Sequence, residues 1–174
     1  RLYHLRVSHD GKLLSSVPIS LPNEVFSPMG AFSPNGGILS YTDAKLAGLR
    51  EPYFSFLACS DTDGNLRFTK SLKAKNINLS VTQAVLQNDG SATIYGTAER
   101  SSKKLFRVFK LELDASGQIL SRDVRDFATR ADYQYTVKLD PLSNAYVVTE
   151  DENRIAIVPF EDLPVLDDIE FMLE

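Results

Sequence analysis

Short runs in which apolar and polar residues alternate occur along most of the chain, and turn residues separate them. One set of turns carries glycine at Gly11, Gly64 and Gly117, each 53 residues from the next. An alternating run precedes each glycine, and a shorter run follows it. A Gly-containing turn between alternating runs is a strong short-range signal for a β-hairpin. These turns therefore predict one hairpin in each of three copies.

A second set of turns lies between the members of the first. It covers residues 32–42, 86–97 and 139–149, with spacings of 54 and 53 between equivalent positions. β-Branched and aromatic residues, which favour strands, dominate the flanking runs. Two hairpins per period predict four strands in each repeat of about 53 residues.

A four-stranded antiparallel unit repeated at this length is typical of a β-propeller blade, because each small sheet buries its faces only when neighbours stack. Helical periodicity is not sustained before the last dozen residues, which excludes helical solenoids. The sequence therefore predicts an all-β, propeller-like fold of three blades with a partial fourth. The expected boundaries are blade 1 at 1–52, blade 2 at 53–104, blade 3 at 105–153, and the first strand of blade 4 at 154–162.

Residues 163–174 differ in character from the repeats. Pro164 opens the segment, and its apolar residues recur at intervals of three and four, which predicts a short amphipathic helix with acidic residues on its other side. The helix is either a tail or linker that packs on its own domain, or an acidic ligand for the groove of a partner. Its candidate partner-binding residues are Val165, Ile169, Phe171, Met172 and Leu173.

Short basic clusters lie in what we interpret as connections between hairpins. They are either solvated loops or contacts for an acidic partner, and the chain's own acidic tail is one candidate for that partner. The lysines nominated for partner binding are Lys70, Lys73, Lys75, Lys103 and Lys104.

The stretch 31–42, Ala-Phe-Ser-Pro-Asn-Gly-Gly-Ile-Leu-Ser-Tyr-Thr, resembles the SPDGxxIxY repeat of TolB-like and WD40-like (PD40-type) bacterial β-propellers. The second copy keeps Asn-Asp-Gly and the aromatic Tyr95 but lacks Ser-Pro, and the third has Ser143 in place of glycine. The resemblance implies the propeller fold. It also implies a bacterial periplasmic or cell-envelope setting.

Composition restricts the function classes. A hydrophobic share of 43% with 24% charged residues is typical of a soluble globular protein, and no apolar run approaches the length of a membrane span. The sequence pI near 5.2 is unlike that of most nucleic-acid-binding domains. Nine of the 23 acidic residues, but only one of the 19 basic residues, fall within 141–174, so the C-terminal segment is strongly acidic.

Candidate chemistry is sparse. Asp61, Asp63 and Asn65 place oxygen ligands at alternate positions, as a calcium loop does, but Leu66 and Leu72 stand where an EF-hand loop needs Gly and Glu. We interpret this segment as a hairpin turn and only weakly as a metal site. Neither histidine has a partner at metal-ligand spacing, and the single cysteine, Cys59, is expected to be a buried apolar residue.

We predict no catalytic residue, no cofactor and no enzymatic activity. Three blades and one strand do not close a ring, so the chain is expected to be part of a larger propeller, one chain of a multi-chain ring, or a chain with segments missing from its numbering. The predicted function is a non-enzymatic protein-interaction or scaffold module that contacts a protein partner or the rest of its own polypeptide. A fragment of a propeller hydrolase or lyase, and a small-ligand or glycan-binding propeller, are the alternatives.

Overall fold

The computed structural model of the protein describes residues 2–22, 24–25, 28–45, 52–100, 105–127, 134–150 and 154–174. Its strands in chain order are β1 (Leu2–Val7), β2 (Leu13–Ile19), β3 (Glu24–Val25), β4 (Met29–Phe32), β5 (Ile38–Lys45), β6 (Phe54–Ser60), β7 (Leu66–Ala74), β8 (Asn78–Leu86), β9 (Ala92–Arg100), β10 (Leu105–Leu113), β11 (Ile119–Asp126), β12 (Gln134–Leu139), β13 (Ala145–Glu150), β14 (Ile155–Pro159), β15 (Val165–Leu166) and β16 (Phe171–Leu173). A 3₁₀ turn, Phe160–Asp162, precedes β15, and the described residues contain no α-helix. The predicted all-β class is confirmed.

The strands pair antiparallel throughout and form four sheets. Sheet A contains β1 and β2. Sheet B has the order β16-β7-β6-β5-β3, with β4 also paired to β5. Sheet C has the order β15-β11-β10-β9-β8, and sheet D has the order β12-β13-β14.

The sheets pack face to face in chain order, and a hydrophobic cluster lies between each neighbouring pair. Strand β6 shows why, because all seven of its residues are buried. Phe56 and Ala58 face sheet A in a cluster with Ile19, whereas Leu57 and Cys59 face sheet C in the largest cluster. Because both of its faces are covered, β6 is apolar except at Ser55 and Ser60. The third cluster joins sheets C and D around Val108 and Val147.

Six hairpins close with the same turn, in which the first residue bonds to the backbone of the fourth and fifth. In the turn from Asp61, the N–H of Asp61 donates to the carbonyl of Asn65 (2.9 Å) and the N–H of Gly64 donates to the carbonyl of Asp61 (3.2 Å). The fourth position has a positive φ, which glycine adopts at no steric cost. Ser143 takes that position in the last turn with φ 65°. Both predicted sets of hairpins are therefore present.

The hairpins group into sheets differently from the prediction. Strand β5 pairs with β6 and β9 pairs with β10, so the expected boundaries at 52/53 and 104/105 fall inside sheets B and C. Each four-stranded meander joins the second hairpin of one repeat to the first hairpin of the next. Alternation predicts the strands of the hairpins, but the hydrogen-bonded ladders between successive hairpins decide the grouping.

The predicted first strand of a fourth blade at 154–162 also has another role. Strand β14 is the third strand of sheet D, paired with β13 from Glu150↔Ile155 to Tyr146↔Pro159. Pro159 ends this strand, as expected for a residue that cannot donate to a ladder.

The predicted helix at 163–174 is wrong. Strand β15 pairs with β11, the edge strand of sheet C, and β16 pairs with β7, the edge strand of sheet B. An isolated helix of about twelve residues is marginal in water, whereas the edges of β7 and β11 offer unpaired backbone groups that an extended segment satisfies. The tail therefore runs back across two sheets as short edge strands.

Candidate interaction surfaces

The acidic tail binds its own chain through backbone hydrogen bonds at two sheet edges. At β7 the N–H of Ser71 donates to the carbonyl of Glu174 (2.8 Å), and the N–H of Glu174 donates back to Ser71 (3.1 Å). At β11 the N–H of Asp126 donates to the carbonyl of Pro164 (2.8 Å). The tail thus occupies edges that would otherwise be open to strand addition.

Apolar side chains anchor the tail between these edges. Ile169 is 2% exposed and belongs to the cluster between sheets B and C. The ring of Phe171 lies 5.1 Å from that of Phe109, and Leu173 packs against the same cluster. Three of the five predicted partner-binding residues of the tail therefore contact their own chain, while Val165 (64%) and Met172 (40%) remain exposed.

Ion pairs flank the apolar anchors. The guanidinium of Arg107 binds Asp168 (Nη2 to Oδ2, 2.8 Å) and Asp126, and Arg122 binds Asp167 (2.8 Å). Arg125 binds Glu161 (2.9 Å), and its hydrogen bonds to Asp123 raise its pKa.

Of the nominated lysines, Lys73 contacts the tail by pairing with the carboxylate of Glu174, and its Nζ also lies 5.2 Å from the centre of the Phe54 ring. Lys70 is half-buried in β7 and Lys75 is exposed in the following turn. Lys103 and Lys104 lie outside the described residues. Arg122 and Arg125 are not among the contacts predicted from the sequence, because the mostly charged stretch 121–126 is also typical of a solvated strand edge.

We expect the apolar anchors, not the ion pairs, to hold the tail. Burial of a side chain the size of Ile169 is worth about 1.5–3 kcal/mol, whereas exposed pairs are worth about 0–1 kcal/mol each and are screened by salt. Ile169→Ala should therefore speed hydrogen exchange at the Ser71 amide far more than Asp168→Asn or added salt does.

The Ser71 amide reports docking because it donates to Glu174, and the amide of Leu111 in the core strand β10 is the internal control. Equal acceleration by Ile169→Ala and Asp168→Asn would mean that charge holds the tail.

The outer face of sheet A, on the side away from sheet B, is apolar and exposed. Tyr3, Leu5 and Val7 of β1 are 45%, 54% and 56% exposed. They stand opposite Pro18, Ser16 and Leu13 of β2, so these three cross-strand pairs contain no charge. Among the described residues β1 pairs only with β2, which leaves its other edge open. An apolar face beside an open edge is a typical protein-interaction surface.

The outer face of sheet D, at the other end of the stack, is apolar along its central row and carries charge beside that row, where Glu150 stands opposite Ile155 and the exposed Lys138 stands opposite Tyr146. Ile155 and Ile157 of β14 are 68% and 63% exposed, and Ile157 stands opposite the half-buried Val148. Within the described part of the chain β14 pairs with β13 alone. The sheet stack therefore exposes apolar residues on both of its outer faces, with charged residues beside them on the face of sheet D.

A buried histidine joins sheets A and B. His4 is 4% exposed, and its Nδ1 and Nε2 lie 2.8 Å from the hydroxyls of Ser60 and Ser40. A nucleophile triad needs an acid that orients the ring, but serine hydroxyls occupy both ring nitrogens. The arrangement therefore satisfies buried polar groups between two sheets.

We expect this histidine to make the protein less stable in acid. Burial lowers the pKa of His4 below its ordinary value of 6.5, so below pH 6.5 the unfolded chain binds a proton that the folded chain does not. Stability from this site is full above pH 6.5 and is lost as the pH falls from there towards the lowered folded pKa. The denaturation midpoints of the wild type and of His4→Gln, measured on both sides of pH 6.5, check this. A drop of the same size in both proteins would assign the acid sensitivity to other groups.

A polar cleft of about 310 Å³ lies where β4 and β5 of sheet B come together with β8 of sheet C and β12 of sheet D. The Ser80 hydroxyl donates to Asp43 Oδ2 (2.9 Å), and burial raises the pKa of Asp43 despite this bond. Thr82, Thr136 and Lys138 complete the polar lining. The cleft offers hydrogen bonds and one carboxylate, and its described lining has no second acid that could share proton transfer.

The weak metal candidate is a self-contained turn. Oδ1 of Asp61 accepts the N–H groups of Asp63 (2.9 Å) and Asn65 (2.8 Å), and Oδ2 accepts the Asn65 side-chain amide. These bonds, led by the one from the Asn65 backbone, lower the pKa of Asp61. Asp114 and Asp140 hold their turns in the same way, so the Asp61 carboxylate has a structural role. Cys59 is buried as expected, and burial raises the pKa of its thiol to about 11.

Comparison with family models, with curated proteins and with solved structures finds no match for the chain. Among the described residues, no three His, Cys, Asp or Glu side chains are grouped so that they could hold a metal ion. In the same ranges, no helix has the length and apolarity needed to cross a membrane.

Proposed function

We propose that the protein is a non-enzymatic interaction or scaffold module, built as part of a β-propeller-like assembly. Strands β4, β8 and β12, from three successive sheets, lie next to one another, as the inner strands of blades around an axis do. The Thr82 hydroxyl donates to the carbonyl of Val137 (3.2 Å) across one such junction. The resemblance of residues 31–42 to TolB-like and WD40-like repeats supports the same architecture.

One observation carries the functional proposal: sheet A exposes apolar residues at positions whose counterparts in the next sheet are buried. Tyr3 and Leu5 are about half-exposed, whereas Phe56 and Ala58, 53 residues later, are 7% and 0% exposed. A position that is apolar in sheets A and B, and that is buried in sheet B where a neighbouring sheet covers it, is suited to contact with another protein surface.

The test compares Leu5→Lys with Leu142→Lys. Leu5 lies on the outer face of sheet A, whereas Leu142 is 83% exposed in the turn between β12 and β13, outside the cross-strand pairs that form the two outer faces. Bis-ANS fluorescence is measured in dilute protein, and light scattering is measured as the concentration rises. We expect the wild type to bind the dye or to self-associate, Leu5→Lys to lose most of that signal, and Leu142→Lys to keep it.

A wild-type chain that binds no dye and scatters as a monomer at all concentrations would refute the proposal. Equal losses in the two variants would also count against it, because the effect would then come from added charge in general.

A further inference from the structure

The exposed residues of sheet A occupy positions that face the preceding sheet in sheets B and C. Tyr3 corresponds to Phe56 in sheet B and to Phe109 in sheet C, at intervals of 53 residues. Phe56 packs against sheet A, and Phe109 packs against sheet B. Both are nearly inaccessible, at 7% and 0% exposure. The outer face of sheet A therefore has its apolar residues at the positions that, in sheets B and C, pack against a preceding sheet.

The outer face of sheet D occupies the complementary positions. Tyr41 and Tyr95 lie five residues after the glycine of their turns and face the following sheet, with 4% and 8% exposure. Val148 stands at the same distance from Ser143, and its neighbour across the ladder is the exposed Ile157. This face is therefore shaped to receive a sheet that would follow it.

The two faces are thus the two halves of one type of contact. Where sheet B meets sheet C, residues equivalent to the outer face of D pack against residues equivalent to the outer face of A. The three cross-strand pairs on the face of A are uncharged, and so are Thr136, Val148 and Ile157, which form the central row of the face of D. Contact between these faces of two molecules would bury both apolar surfaces with no unpaired charge at the centre.

We propose that the outer face of sheet A in one molecule packs on the outer face of sheet D in a second copy, head to tail. The proposal rests on the interaction function given above and names its partner. A contact of A with A would leave the face of D in water, whereas the head-to-tail contact covers both. Such a heterologous contact closes into a ring or extends into a chain of subunits.

The test uses two charge variants, Leu5→Lys on sheet A and Ile157→Lys on sheet D. Both side chains are more than half exposed, 54% and 63%, so the substitutions should leave the fold unchanged, which circular dichroism checks. Masses come from size-exclusion chromatography with light scattering. We expect the wild type and Leu142→Lys to be oligomeric and each variant alone to be monomeric.

The decisive sample is an equimolar mixture of the two variants. The intact D face of Leu5→Lys can bind the intact A face of Ile157→Lys, and no further copy can add. The mixture should therefore show twice the monomer mass.

The other outcomes overturn the second copy as partner. A monomeric wild type that binds bis-ANS through Leu5 would keep the proposed interaction surface but assign it to a different protein. Dissociation by Leu5→Lys with no effect of Ile157→Lys would indicate contact of A with A. A mixture that stays monomeric would exclude the head-to-tail contact.

Discussion

Gly96→Ala is expected to lower the free energy of unfolding by about 3 kcal/mol or more, at the upper end of the usual cost of overpacking. Gly96 lies in β9, where it stands opposite Phe109 in sheet C. A Cβ on this residue would lie 2.2 Å from the backbone oxygen of Ser80 and 2.5 Å from Cζ of Phe109. A flexible side chain could move aside, but the Ser80 oxygen belongs to the neighbouring strand β8. Relief of the contact therefore requires that two paired strands separate.

Gly30→Ala is the matched control, because Gly30 also lies in a strand, β4, and its nearest contact to an added Cβ is 3.7 Å away. In open space a Gly to Ala change stabilises a protein by about 0.4–1 kcal/mol through the entropy of the unfolded chain. The two substitutions should therefore differ in sign. Urea denaturation measures the free energy of unfolding of both variants. A similar small change in both would show that β8 moves away from the added Cβ at little cost in free energy.

The local structure of the chain could be predicted because it depends on near neighbours in sequence. The turns at Gly11 and Gly64 need a residue with positive φ at a fixed place between alternating runs, and the sequence shows both. Whether two successive hairpins share a sheet depends on whether β6 forms hydrogen bonds with β5. The residues of β6 favour a strand in either case. Sheet boundaries therefore could not be read from the repeat.

The tail shows a second limit of the sequence. Phe171 and Leu173 flank Met172 with a period of two, but three residues are too few to decide between a strand and a helix turn. The segment is a strand because it pairs with the edge of β7, about a hundred residues earlier in the chain. The contact of His4 with Ser40 and Ser60 likewise joins residues 36 and 56 positions apart, so no local pattern of residues could predict it.

Phe109→Ala is expected to have the largest effect of a single truncation, about 3–5 kcal/mol. Phe109 is fully buried in the cluster between sheets B and C, and its ring packs on Phe171 of the tail at a tilt of 59°. Such an aromatic pair adds about 0.5–1.5 kcal/mol beyond the area that it buries. The substitution should therefore both destabilise the core and loosen the tail.

Phe32→Ala removes the same side chain from β4, where Phe32 is 71% exposed, and is expected to change stability by less than about 0.5 kcal/mol. Urea denaturation gives the global loss in each variant, and hydrogen exchange at the Ser71 amide, which donates to Glu174, reports docking of the tail separately. In Phe109→Ala this amide should exchange faster than the loss of global stability alone explains, because Phe171 has lost its aromatic neighbour. Acceleration that matches the global loss would show that Phe171 is held by the rest of the cluster, and that the tail and core unfold as one unit.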